Sequence, residues 1–284
     1  MSRVIVRRSL GASILIAMAV VSTPPLGADD NAKPKESVAG AENQAEQILK
    51  ASHDYVAARS FEIQQTAEQT ARTIVDGKSL DSAQTVKQTS SIEVDADKKL
   101  VRMTTKDQSG KNLVVIRKGD HIAVKIGSDP WAAPKGPYAR IGDQLANPFV
   151  CPLPKPGLAN SPKWTVVGDE RLDSQDITVI KTVGDSANEY AQECMRDGIA
   201  LIFPEASSRP TIEVVSYESR HWIGKADNCR QRVEQTSHYR MTMPEATKTV
   251  IDIVGKTTAI YRRYNKIDIE VPEEARPILY PEHK

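Results

Sequence analysis

Asn112-Leu-Val-Val-Ile-Arg-Lys-Gly-Asp-His-Ile-Ala-Val-Lys-Ile126 is the strongest β signal in the chain: two β-branched runs on either side of Lys118-Gly119-Asp120. Read with a three-residue loop, the hairpin sets Ile116 against Ile122 and Val114 against Val124. One face is then aliphatic, and Arg117, His121 and Lys125 point to water. A register shifted by one residue would bury those charges, which makes this pairing the expected one. Working outward, period-two runs recur at 61–75, 83–105, 164–168, 176–184, 211–217, 231–243, 249–255 and 256–264, with Gly255-Lys256 read as a tight turn. That makes about ten or eleven antiparallel strands. Upstream, Ala41, Ala45, Ile48, Leu49, Ser52 and Val56 recur at helical steps, so one amphipathic helix is expected over about 41–58. Helices do not alternate with the strands, which excludes a doubly wound parallel sheet.

A twisted sheet of this many strands must curl. The expected fold is therefore mainly β (α+β): a curled antiparallel sheet forming an unclosed half-barrel, with the N-terminal helix plugging its concave side. Two weakly helical insertions, 138–149 and 186–195, are candidate lids on that side, and 130–162 is rich in Pro. Arg3, Arg7 and Arg8, the apolar run 10–21 and Pro24-Pro25-Leu26-Gly27-Ala28 follow the order of a secretory signal peptide. The apolar run is too short to span roughly 30 Å of hydrocarbon, so an integral membrane protein is not expected. The expected layout is a signal peptide over 1–28, a flexible leader over 29–40 and one domain over 41–284, secreted to the periplasm. Lys+Arg number 38 and Asp+Glu 37, a balance that offers no footprint for nucleic acid. Three cysteines, Cys151, Cys194 and Cys229, permit one disulfide in an oxidising compartment. Three pairings are possible, and the spacing does not choose among them.

Catalytic and metal signatures are missing. Val75-Asp76-Gly77-Lys78-Ser79 has a Gly-Lys-Ser triplet, but Arg72 stands where a phosphate loop needs Gly and the segment lies between strands. The five histidines share no metal-ligand spacing. No enzyme activity, cofactor or metal is expected. The chain does offer a large aliphatic strand surface: Val114, Ile116, Ile122, Val124, Ile212, Val214, Ile251 and Ile253, with the adaptable thioethers of Met241 and Met243. If a helix fills the concave side only in part, this wall suits acyl chains, at about 0.8 kcal/mol per buried methylene. A closed core built from the same residues is the alternative.

Three segments carry a resemblance. Residues 164–180 (Trp164-Thr-Val-Val-Gly-Asp-Glu-Arg-Leu onward), 221–232 (His221-Trp-Ile-Gly-Lys onward) and 260–275 (Ile260-Tyr-Arg-Arg-Tyr-Asn onward to Pro272) resemble successive parts of the LolA-like superfamily. Their order matches too, over about 41–275. That superfamily includes periplasmic lipoprotein carriers, LppX–LprG lipid-binding proteins and RseB-type envelope sensors. The resemblance implies an unclosed half-barrel that holds acyl chains on its concave side. The expected function is thus a secreted carrier or binding protein for acylated ligands, either lipid or lipoprotein. The alternative is an envelope sensor that binds a protein partner through the same fold. This chain lacks the acylated Cys of the lipoprotein members and is longer than the carrier, with inserts around 131–163 and 185–209.

Overall fold

A computed structural model describes residues 42–80, 82–106, 110–134, 162–202, 205, 207, 209–246 and 248–281. The expected signal peptide, the leader, the insertion 138–149 and Cys151 lie outside the described residues. The chain forms helix α1 (Glu42–Ala57) and then strands β1 (Phe61–Val75), β2 (Lys78–Ser79), β3 (Gln84–Asp95), β4 (Leu100–Lys106), β5 (Asn112–Lys118) and β6 (His121–Ile126). After the insertion come β7 (Trp164–Leu172), β8 (Gln175–Val183), helix α2 (Asp185–Ile202), β9 (Thr211–Gly224), β10 (Arg230–Thr242), β11 (Thr249–Arg262) and the short helix α3 (Arg276–Leu279).

All strands join one 11-stranded antiparallel sheet in the order β6-β5-β4-β3-β1-β11-β10-β9-β8-β7, with β2 paired to β1. The two ends of that order do not meet, so the sheet is an unclosed half-barrel. Its hub is β1, which pairs along its length with β11 on one side and β3 on the other. Asp76 and Gly77 both take positive φ, +49° and +76°, the backbone of the two-residue hairpin turn that follows β1. The Gly-Lys-Ser triplet is thus a hairpin element.

Three local readings differ from expectation, the first being that the single run 83–105 is two paired strands, β3 and β4. The β5–β6 loop has two residues, not three: Lys118 pairs with His121, Ile116 with Ala123 and Val115 with Val124. Gly119 opens the turn at φ +57°, a conformation open to Gly that makes the shorter loop feasible. Gly255 and Lys256 are no turn either, because β11 runs unbroken through them. A Cβ at Gly255 would stand 3.1 Å from the Ser237 Oγ of β10 and 3.6 Å from the Gln69 Cγ of β1. The position is small because it is crowded from both sides.

Candidate functional site

Cross-strand partners in an antiparallel sheet point to the same side. Starting from Phe61 and Ile63, the pairings carry one face across Ile92, Met103, Val115 and Val124 in one direction. In the other direction they carry it across Tyr261, Val233 and His221. Both long helices lie on this face. Val56 of α1 packs with Phe61, Ile63, Ile92, Val115, Val124 and Tyr261. Ala45 and Leu49 of the same helix pack with Trp164, Ile180 and Ile223. The buried stripe Ala45, Leu49, Ser52 and Val56 follows the expected helical spacing.

Helix α2 covers a second apolar patch. Its Met195 and Ile199 pack with Ile212, Tyr239, Met241 and Ile253, flanked by Val214, Met243 and Ile251. Two amides one turn apart pin the helix to β9. Gln192 donates to the Ile212 carbonyl (2.6 Å) and accepts from the Val214 amide (2.8 Å). Asn188 accepts from the Tyr217 amide (2.7 Å). β8 pairs with β9 only from Glu218 onward, so residues 212–217 have no β8 neighbour. The helix side chains satisfy backbone groups that a strand would otherwise take.

A polar belt separates the patches. Register places Trp164, Thr182, Ser219, Gln235, Thr257, Ala67 and Gln88 in one transverse row across seven strands. Gln88 extends the row by donating to Thr105 Oγ1 on β4 (3.0 Å). A second row, toward α2, holds Gln69, Gly255, Ser237 and Tyr217, and Gln235 links the two by donating to Tyr217 Oη (2.9 Å). Neither row contains an ionisable side chain other than the Tyr217 phenol.

On the α1 side of the belt lies a buried basic cluster. Arg230 is 2% exposed, with its guanidinium 5.7 Å from the Tyr261 ring centre. His221 is fully buried, shares a hydrogen bond with Ser219 Oγ (3.0 Å) and meets the Trp164 indole edge-on at 4.9 Å. Burial, and then the Arg230 charge, hold the His221 imidazole well below its usual range, and the same two causes lower that of His53 on α1. Burial pushes the Cys229 thiol up to about 11.

The structure divides the expected aliphatic wall. Ile212, Val214, Met241, Met243, Ile251 and Ile253 come together beneath α2. Ile122 and Val124 share that face but sit in the patch closed by α1. Ile116 and Val114 belong to the opposite face, where they pack with Leu100, Ala123, Ile267, Ile269 and Leu279. That is a correction, and the two-residue turn is its cause, since one residue of register moves a side chain to the other side of the sheet. The cover over this opposite face is the C-terminal segment, tied down by the Ile269 amide donating to buried Asp95 (3.1 Å). Cys194 and Cys229 are not joined to each other. The candidate lid 186–195 is a full helix, longer than expected at both ends. Sequence reading missed Met195, Ile199, Arg230 and the polar belt. The buried place of His221 beside Arg230 follows only from register.

Among the described residues no cluster of three His, Cys, Asp or Glu side chains could hold a metal ion, and no helix is long and apolar enough to cross a membrane. No family model and no curated protein matches the chain. Among solved structures it is similar to the lipoprotein LppX of Mycobacterium tuberculosis, at 13% identity over 80% of this chain and 99% of that one, with a TM-score of 0.42. It is also similar to LprF of Mycobacterium bovis, at 10% identity over 83% of this chain and 99% of that one, TM-score 0.43. A DUF1329 family protein of Desulfovibrio piger gives 10% identity over 83% and 97%, TM-score 0.28.

Proposed function

We propose that this protein binds acylated ligands, lipid or lipoprotein, on the helix-bearing face of its half-barrel, in the periplasm and without catalysis. One observation carries the reading: the patch of Ile212, Tyr239, Met241 and Ile253 is covered by a single amphipathic helix rather than by a second sheet. The cluster beneath that helix includes Met195 and Met241, two unbranched thioethers that reshape readily around an irregular apolar guest. Sliding α2 along or off β9 exposes an aliphatic wall without breaking a strand pairing. An acyl chain placed there gains about 0.8 kcal/mol per methylene removed from water. The sequence resemblance implies the same class of ligand.

The test is to purify the full chain from cells, extract it with organic solvent and analyse the extract by mass spectrometry, then titrate the emptied protein with a fluorescent fatty acid. Co-purified lipid or acyl peptide and saturable uptake are the expected results. Met243→Lys, at the rim of the α2 patch, should weaken uptake by about tenfold or more, because it sets a charge against hydrocarbon. Val254→Lys, 52% exposed on the other face, should leave it unchanged. An empty extract together with no fatty-acid affinity refutes the proposal.

A further inference from the structure

We infer, resting on the ligand-binding reading above, that the polar belt between the two apolar patches seats an uncharged, hydroxyl-rich headgroup, and that the protein discriminates against ligands carrying a phosphate. The belt interrupts an otherwise apolar face at the same level on the three central strands β1, β11 and β10. On β1 the order is Ile63, then Gln65, Ala67 and Gln69, then Ala71, and on β11 it is Ala259, then Thr257 and Gly255, then Ile253. On β10, Gln235 and Ser237 separate Val233 from Tyr239. A closed core would place aliphatic residues in these positions, because buried amides and hydroxyls cost free energy unless each finds a partner.

Three features of the belt point to a ligand. First, Gln65, Gln88, Ser90, Ser237 and Thr257 stay half-exposed although helices cover both flanks. Second, the end of the row holds buried donors without partners among the described residues: Trp164 Nε1 and Thr182 Oγ1, on side chains 2% and 1% exposed. Third, Ala67 and Gly255 keep the middle of the belt low, so a ring or chain of hydroxyls can approach the sheet closely. Amides and hydroxyls both donate and accept, which matches hydroxyl groups and gives an anion no counter-charge. Arg230 lies on the α1 side of the row, buried beside His53 of that helix.

The experiment uses the full chain and three probes with the same fluorescent acyl chain: a monogalactosyl diacylglycerol, a phosphatidylglycerol and a plain acyl methyl ester. The galactolipid should bind at least about tenfold more tightly than the phospholipid, the scale of one or two net hydrogen bonds plus the lost hydration of a phosphate. Gln235→Leu and the near-isosteric Thr257→Val should each bring that ratio toward one. Both should leave the methyl ester affinity within about twofold, and Thr257→Val, at a half-exposed site, preserves the fold. Equal or tighter binding of the phospholipid overturns the inference, as does a preference that survives both substitutions. If no probe binds, the ligand-binding reading itself fails and this inference fails with it.

Discussion

Replacing Met241 by Ala tests whether α2 is seated on its patch in solution. Met241 is 1% exposed, lies between Ile212 and Ile251 in the pairing of three strands, and is covered by the cluster that includes Met195 and Ile199. The substitution deletes three heavy atoms beyond Cβ, about 2.4 kcal/mol of transfer free energy at about 0.8 kcal/mol per methylene. A cavity that the rigid sheet does not refill adds roughly 24 cal/mol per Å³. We expect a loss of about 2.5–4 kcal/mol. With a urea slope near 3 kcal/mol per M, the unfolding midpoint followed by circular dichroism should fall by about 1 M. Met241→Leu conserves volume and should lose less than about 1.5 kcal/mol. A loss below about 0.5 kcal/mol for Met241→Ala would mean that the patch is not packed against the helix, and the argument for a displaceable lid would collapse.

Other outcomes follow from the same geometry. Ile116→Ala should destabilise by about 2–5 kcal/mol in urea yet leave fatty-acid uptake unchanged, because Ile116 packs beneath the C-terminal segment on the other face; reduced uptake would contradict the observed register. Gln192→Ala orphans the Ile212 carbonyl and the Val214 amide, so it should cost about 1–3 kcal/mol, and hydrogen exchange at the Val214 amide should accelerate. Folded His221 holds its proton less tightly than unfolded His221, because of burial and then Arg230. The unfolded chain therefore takes up the proton first: stability is full above the ordinary histidine value of 6.5 and falls as the pH drops below it. His221→Asn should flatten that decline in melting temperature between pH 7 and 5, and an unchanged slope would assign the decline to other groups. With its thiol pushed up to about 11 by burial, Cys229 should resist alkylation at pH 8 in the folded chain and react quickly in urea, as resolved by peptide mapping.

Much of the architecture could be read along the chain. Period-two patterning located the strand-forming regions, because residues on the two faces of a strand alternate between core and water, but it merged β3 with β4 and split β11. The helical stripe of Ala45, Leu49, Ser52 and Val56 was legible for the same reason at a different period. Misreadings came where both sides of a strand are covered. Val114 and Ile116 pack under the C-terminal segment while Leu113 and Val115 pack toward α1, so β5 has no polar face to reveal its register. Gly255 imitates a turn in sequence, whereas its small size answers to Ser237 and Gln69 on two neighbouring strands.

Local patterning determined that this chain makes many antiparallel strands with an amphipathic helix ahead of them, since both properties depend on residues only two to four positions apart. Tertiary structure alone decided which aliphatic residues share a wall and which polar ones line up. The row from Trp164 through Thr182, Ser219, Gln235 and Thr257 to Gln88 draws on seven strands. Its alignment depends on turn lengths and on the register shifts between Arg230 and Arg232 and between Val166 and Gly168, and a single residue of slip in any of them would scatter it.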